Sequence, residues 1–457
     1  MGLRKTLFKR FTDTTTLSNY SIILLVFSVY IMHLWIMWPG ALNPDSRHQY
    51  TMAISGIYTD HHPPLMSFVW RCLNYIIPSH GSLFLLQLFL FYAAIFYLIK
   101  SVKNFRFRFL FILLPLIPQI SAYLNMIWKD ANFAFSFLLV AAYLAYVTLN
   151  RIKPTWYQIA LLLTILLYGT AVKFQAKYCV PILLGWITYI ITDKSILNQK
   201  FFKIFISLTF IFYLLLNIIN FILVPNEQKD HSWQYVKIYD LAAISIATHQ
   251  DLLPDFIKTE LFSTEDLYLR ASSCKSLTNC KYSQYNVDNF VFGVTPILKK
   301  SNIEQERKKL YSIWLNSVLN HPIIYLKHRC IVIIGILLGT PIEYKNIANL
   351  FANNHYLFLT ANIFIYLVFS NLIFNILSVI YFIFGIITLY KQKGTNLLAI
   401  PIICFNAISL IMLLVLFFCS MASTPRYVYI NACMVNSSHI FVYLCLKKKR
   451  KELTTTS

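Results

Sequence analysis

The chain has 457 residues; 58% are hydrophobic, 16% aromatic and only 13% charged, with a mean hydropathy of +0.59. A soluble domain carries about 25% charged residues, so an ordinary globular protein is excluded, and 11 glycines exclude a collagen-like chain and argue against a glycine loop for nucleotides. The net charge of +22 does not indicate nucleic acid, because the basic residues gather at the ends of apolar runs, which is membrane topology.

The opening Arg4, Lys5, Lys9 and Arg10 precede an apolar run without a small-residue cleavage site, so the first helix is expected to stay. About 20 apolar residues cross a bilayer, and Lys/Arg-rich flanks mark the cytoplasmic side. On that rule spans are expected near 19–38, 82–99, 109–124, 131–149, 156–172, 178–192 and 204–223. A polar segment, 39–80, lies outside between the first two. From 225 to 328 the chain carries 11 of its 18 acidic residues and reads as a small, mainly helical, outer-face domain. The stretch 330–356 reads either as one apolar segment at the surface or as two short crossings. Spans near 367–389, 397–419 and 427–446 follow, closed by a basic run at 447–451. The expectation is an all-α polytopic protein of ten spans, or twelve, with both termini cytoplasmic. Its parts are an N-terminal membrane module (1–224), the outer domain (225–328) and a C-terminal membrane module (329–457).

Most of the nine cysteines sit in apolar runs as small core hydrophobes. Cys274 and Cys280 lie in the polar region, where an oxidising compartment would let them close a small loop.

Rare charges are the informative ones. Asp45, Asp60, Asp130 and Glu343 fall at the outer ends of spans, and so do Lys129, Lys173, Lys177 and Arg426. Cations on that side run against the orientation rule. They either snorkel to lipid headgroups or bind an anion. The segment 39–80 holds Asn43-Pro44-Asp45, a helix start with an Asn cap, Pro in the first position and Asp in the first turn. His62-Pro63-Pro64 announces a second helix. Ser67, Arg71 and Asn74 share one face of it, and Leu65, Phe68, Cys72 and Ile76 the other, as in an amphipathic surface helix. Asp45 and Asp60 with His48, His61 and His62 on one loop mark a candidate site. No tight ligand spacing appears, so the histidines read as hydrogen-bonding partners; a divalent metal is the lesser alternative.

The order of a basic N-terminus, one span, and an outer loop with Pro44-Asp45, Gly56, Asp60 and His62-Pro63-Pro64-Leu65 resembles the GT-C superfamily of integral membrane glycosyltransferases. That superfamily includes protein O-mannosyltransferases and the lipid A aminoarabinose transferase. Trp128-Lys129-Asp130 and His321-Pro322 with Tyr325 to Arg329 extend the likeness loosely. The acidic pair of the family is often Asp-Glu; here Ser46 follows Asp45, so Asp60 or Asp130 must supply a second carboxylate. Size and composition look most like bacterial glucosyltransferases that modify O-antigen.

The resemblance implies transfer of a sugar, such as a hexose, from a polyprenyl-phosphate donor to a hydroxyl of a surface glycan or lipid-linked oligosaccharide, at the outer face of a bacterial cytoplasmic membrane. No cofactor is implied. Such a reaction needs a carboxylate to orient or deprotonate the acceptor and fixed cations for the departing phosphate. Asp45 and Asp60 are the catalytic candidates. Lys129, Lys173, Lys177 and Arg426 are the phosphate candidates, with His48, His61, His62 and Asp130 beside the substrate. A transporter or flippase of a lipid-linked sugar is the alternative, although no internal repeat is evident.

Overall fold

The computed structural model describes residues 19–192, 198–272, 287–292, 295–339, 370–392 and 396–455. Cys274, Cys280, Glu343 and all of 340–356, the larger part of the stretch 330–356, lie outside them. The described chain is all-helical, with only two isolated bridges, Ala41 with Met126 and Lys258 with Leu298.

Apart from the short helices Phe105–Arg108, Thr264–Ser272 and Asp288–Val291, the α-helices among the described residues are α1 (Asn19–Met37), α2 (Pro44–Ser55), α3 (Pro64–Ile76), α4 (Gly81–Ser101), α5 (Pro118–Leu124), α6 (Lys129–Asn150), α7 (Trp156–Ala171), α8 (Val180–Ile191) and α9 (Gln199–Leu223). Then come α10 (Gln234–Thr248), α11 (Glu304–Asn320), α12 (Pro322–Leu338), α13 (Leu372–Lys391), α14 (Ala399–Cys419) and α15 (Tyr429–Thr455). Among the described residues seven helical stretches are long and apolar enough to cross a membrane, and an eighth joins them if α11 and α12, which meet at a 100° bend, count as one. α1 and α7 are shorter apolar helices. These features fit a multi-pass membrane protein.

Two expectations meet a different geometry. The stretch 109–124 is not one helix: a 3-10 segment, Phe109–Leu116, contains Pro115, and α5 starts afresh at Pro118. Each proline removes a backbone donor and crowds the preceding turn, so an unbroken α-helix does not form there. The boundary drawn between 328 and 329 falls inside α12, which begins at Pro322.

α6 is the centre of the bundle, with nearly every side chain from Asp130 to Thr148 buried. It packs against α4, α7 and α15, while α13, α14 and α15 form a second group joined to it. A helix apolar on all sides must be surrounded by protein or lipid. α6 takes protein; α9 and α13 leave Phe210, Phe221, Ile376 and Ile383 exposed on the bundle surface. α10, α11 and α12 pack together, and α12 also meets the 3-10 turn Pro425–Val428 that carries Arg426.

Candidate functional site

The site grows from the caps of α2. Asn43 accepts from the Ser46 amide at 2.8 Å, and Ser46 Oγ accepts from the Asn43 amide at 2.8 Å. This capping box leaves Asp45 in the first turn, where a carboxylate suits the helix dipole. At the other end Gly56 adopts φ +75°, and Arg71 of α3 donates to the carbonyls of Ala53 and Ile54 at 3.2 and 3.1 Å. A side chain at Gly56 would meet that guanidinium at 2.5 Å. α2 and α3 are thereby fixed as a pair. The buried side of α3 is Met66, Ser67 and Trp70, while Phe68, Cys72 and Ile76 stay exposed.

A second device brings Asp45 to α6. The Ala41 amide donates to Asn125 O at 2.9 Å, and the Ile127 amide returns a bond to Ala41 O at 3.0 Å. Gln87 of α4 holds the same loop. Its Nε2 donates to Met126 O at 2.9 Å, and its Oε1 accepts from Asn132 at 3.0 Å. His33 of α1 reaches Asn125 at 2.7 Å. Lys129 and Asp130 therefore enter the site from the first turn of α6, behind a loop tied by these hydrogen bonds.

Here two carboxylates face three cations. Arg426 donates to Asp45 Oδ2 at 2.6 Å, and its Nε lies 3.9 Å from Asp130 Oδ2. Lys129 Nζ lies 4.0 Å from Asp45 and donates to His62 Nδ1 at 2.9 Å. Lys173 is paired with Asp130, both nearly sealed from solvent. The Arg426 guanidinium rests 4.9 Å from the centre of the Trp128 ring. Trp128 Nε1, Arg426 Nε and Asp130 Oδ2 are buried with no hydrogen-bond partner in the protein. One positive charge is in excess, and two buried donors are unused.

The histidines form a second layer. His48, His61 and His62 meet edge to face with centroids 4.7 to 5.6 Å apart. Burial, then Lys129, pushes the His62 imidazole well below its usual range. Burial and Lys129 lower His61 as well, and burial and His61 lower His48. All three are neutral at neutral pH. An ammonium can only donate, so His62 Nδ1 is the unprotonated nitrogen. His61 turns the opposite way, to Asp230 at 3.0 Å and Ser232 at 3.2 Å, and Lys300 pairs with Asp230. Among the described residues no group of three His, Cys, Asp or Glu converges as metal ligands would.

The candidates named from sequence thus separate. Asp45, Lys129, Asp130, Lys173 and Arg426 come together, with His62 on Lys129. Asp60 goes elsewhere. Its Oδ1 accepts from the Asp230 and His231 amides, tying the first loop to a segment 170 residues away. Lys177 is exposed, its Nζ 5.2 Å from the Tyr178 ring, with no ion pair among the described residues. Residues the sequence reading missed are Gln87, Asn132, Asp230 and Lys300; Trp128 was named only as part of the Trp128-Lys129-Asp130 likeness. The buried pair of Asp240 with Arg329, at 2.6 Å, was missed as well; Trp314 braces Asp240 at 2.8 Å and Ser420 O takes Arg329 at 2.6 Å. Polar residues inside apolar runs, such as Gln87 and Asn132, were the available signal.

No protein-family model matches this chain, and no curated protein or solved structure matches it either.

Proposed function

We propose that the chain is a membrane glycosyltransferase of the GT-C kind. It moves a sugar, a hexose such as glucose, from a polyprenyl-phosphate donor to a hydroxyl of a cell-surface glycan or lipid-linked oligosaccharide. In this reading the chain crosses a bacterial cytoplasmic membrane ten times with both termini inside, and the Asp45 cluster faces the periplasm.

One observation carries the proposal: Asp45 is held 2.6 Å from Arg426 and 4.0 Å from Lys129 at the ends of apolar helices, beside two buried donors without acceptors. An acceptor hydroxyl needs the carboxylate and a leaving phosphate needs the cations, so adjacent groups of both signs suit transfer. The acceptor oxygen bonds to the anomeric carbon as the bond from that carbon to the phosphate oxygen breaks. The electron pair leaves on the lipid phosphate, and the hydroxyl proton passes to a base or water. Asp45 Oδ2 is occupied by Arg426, which leaves Oδ1 to orient the hydroxyl. Arg426 offers a planar fork and Lys129 a point charge to the phosphate. Cations fixed before the reaction avoid reorganisation cost. Asp130, paired with Lys173, lies 3.9 Å behind the Arg426 Nε. Asp60 and His61 position the loop through Asp230. The charges sit at helix ends rather than mid-helix, which favours transfer over transport, where ionisable groups line the midplane.

The test is transfer from a polyprenyl-phosphate hexose to a glycan acceptor by the purified protein in nanodiscs, read by mass spectrometry. Asp45→Asn keeps the helix start but removes the charge. It should lower turnover by about 10²-fold or more with donor binding retained. Wild-type turnover in Asp45→Asn would refute the role of Asp45, and no transfer by the wild type with any polyprenyl-phosphate hexose would refute the activity.

A further inference from the structure

His48, His61 and His62 differ in what their ring nitrogens can still do. His62 is buried and its Nδ1 accepts from Lys129 at 2.9 Å. A neutral imidazole carries one proton, so Nε2 holds it and no lone pair is left for a substrate. His48 is exposed, and among the described residues no hydrogen bond selects its tautomer. His61 is fixed. Its Nδ1 lies 3.0 Å from Asp230 Oδ2 and 3.2 Å from Ser232 Oγ. A carboxylate only accepts, so Nδ1 bears the proton and Nε2 keeps the lone pair. Nε2 has no hydrogen-bond partner among the described residues, and the side chain is 30% exposed, so a ligand can reach the ring.

The carboxylate behind the ring is itself held. Asp60 Oδ1 accepts from the Asp230 and His231 amides, Lys300 pairs with Asp230 Oδ1, and Ser232 Oγ donates to Asp230 Oδ2. His231 takes φ +54°, a left-handed conformation that costs a residue with a Cβ and that clusters at functional sites. That kink sends two amides to Asp60 and the side chains of Asp230 and Ser232 to His61. The ring also stands close to Asp45. His48 follows Asp45 by one turn of α2, and the His61 ring meets His48 at 5.6 Å and His62 at 4.7 Å, centroid to centroid. His62 in turn sits on Lys129, 4.0 Å from Asp45.

We propose that His61 is the general base of the transfer described above, a role that rests on that reading, and that Asp230 is its positioning residue. Asp45 Oδ2 is taken by Arg426, so Oδ1 orients the acceptor hydroxyl and His61 Nε2 takes its proton, directly or through one water. The hydroxyl oxygen bonds to the anomeric carbon. The bond from that carbon to the phosphate oxygen breaks with its electron pair on the phosphate, and the proton stays on His61. The imidazolium is stabilised by Asp230, which fixes the tautomer and the ring without taking the proton. Bulk water then removes the proton from the exposed ring.

The test is transfer by the full chain in nanodiscs, from a polyprenyl-phosphate hexose to a glycan acceptor, followed against pH. Burial acts most on His61, and Lys129 and Lys300 lower it further, against Asp45 and Asp60, which raise it; His48, His62 and Asp230 face it as well. The net direction is down, so kcat/KM of the wild type should be level at neutral pH and fall about tenfold per pH unit at some point below about pH 6.5. His61→Asn keeps a donor for Asp230 and Ser232 but has no basic nitrogen. It should lower kcat by about 10²-fold or more, keep the donor KM within about twofold, and lose the acid limb. Asp230→Asn offers Nδ1 an amide hydrogen, favours the tautomer with Nε2 protonated, and should lower kcat with KM retained. Wild-type kcat in His61→Asn, a loss carried by KM or stability alone, or an acid limb that persists in His61→Asn overturns the role of His61 and leaves the transfer reading standing if Asp45→Asn is slow. Unchanged kcat in Asp230→Asn overturns the role of Asp230. No transfer by the wild type with any polyprenyl-phosphate hexose overturns the reading and this role together.

Discussion

Whether Lys173 is a phosphate ligand or a buried counter-charge is decided by stability. Lys173 and Asp130 are 4% and 2% exposed and pair directly. Removing one partner of a buried pair strands the other and costs about 3–5 kcal/mol. In Lys173→Met the stranded Asp130 still has Arg426 Nε at 3.9 Å. At an effective dielectric of about 20 that is a gross attraction of about 4 kcal/mol, part of it already present in the wild type. The expected loss for Lys173→Met is therefore about 2–4 kcal/mol. Asp130→Asn leaves the ammonium the Tyr427 carbonyl at 3.5 Å and the ring faces of Phe133 and Tyr427, at 5.6 and 5.4 Å, with no counter-charge in contact, and should cost about 3–5 kcal/mol. The double variant Lys173→Met/Asp130→Asn buries no unpaired charge and should recover most of either loss. The assay is reversible unfolding of purified protein in mixed micelles, followed by tryptophan fluorescence. A Lys173→Met protein within about 0.5 kcal/mol of the wild type, or a double variant as unstable as the sum of the singles, refutes the pairing.

Two further outcomes follow. His62 is held neutral by burial and Lys129, so as pH falls below the ordinary histidine value of about 6.5 the unfolded chain takes up a proton before the folded one does. The His62 contribution to stability should then drop by about 1.4 kcal/mol per pH unit between about pH 6.5 and pH 5, and none of it is lost above about pH 7; unfolding of His62→Gln over the same range should be flatter than the wild type by that slope, and equal slopes count against the assignment. Asp60 accepts two backbone amides; Asp60→Asn keeps an acceptor oxygen and should keep most of the transfer rate, whereas Asp60→Ala strands both donors at about 1–3 kcal/mol, and equal loss of turnover in both variants would instead make Asp60 a reacting carboxylate.

Much of the architecture was legible because one rule governs it: a bilayer-length apolar run with basic flanks needs no tertiary information to be recognised. The stretch 109–124 met the length and apolar criteria but carried Pro115 and Pro118, and backbone sterics overrode hydropathy. The start of α2 was legible for the same local reason. An Asn cap, a Pro and an Asp within three residues specify a helix N-terminus wherever they stand, and the capping box on Asn43 and Ser46 forms as that pattern requires.

Pairing was not legible. Asp45 meets Arg426 across 381 residues and Lys173 meets Asp130 across 43. Nothing local in either carboxylate says which of four nearby cations will reach it. Neighbouring residues even part company: His61 turns to Asp230 and His62 to Lys129, because each answers to a different packed element. The consequence bears on chemistry. Of the four cations at these helix ends, Lys173 is neutralised by Asp130 and Lys177 stands apart in solvent. Lys129 has a neutral imidazole as its nearest partner, and Arg426 is shared between two carboxylates with its Nε unused. An anion arriving beside Asp45 therefore finds two under-compensated cations, from opposite ends of the sequence, and in the proposed transfer those two are where a leaving phosphate would gain most.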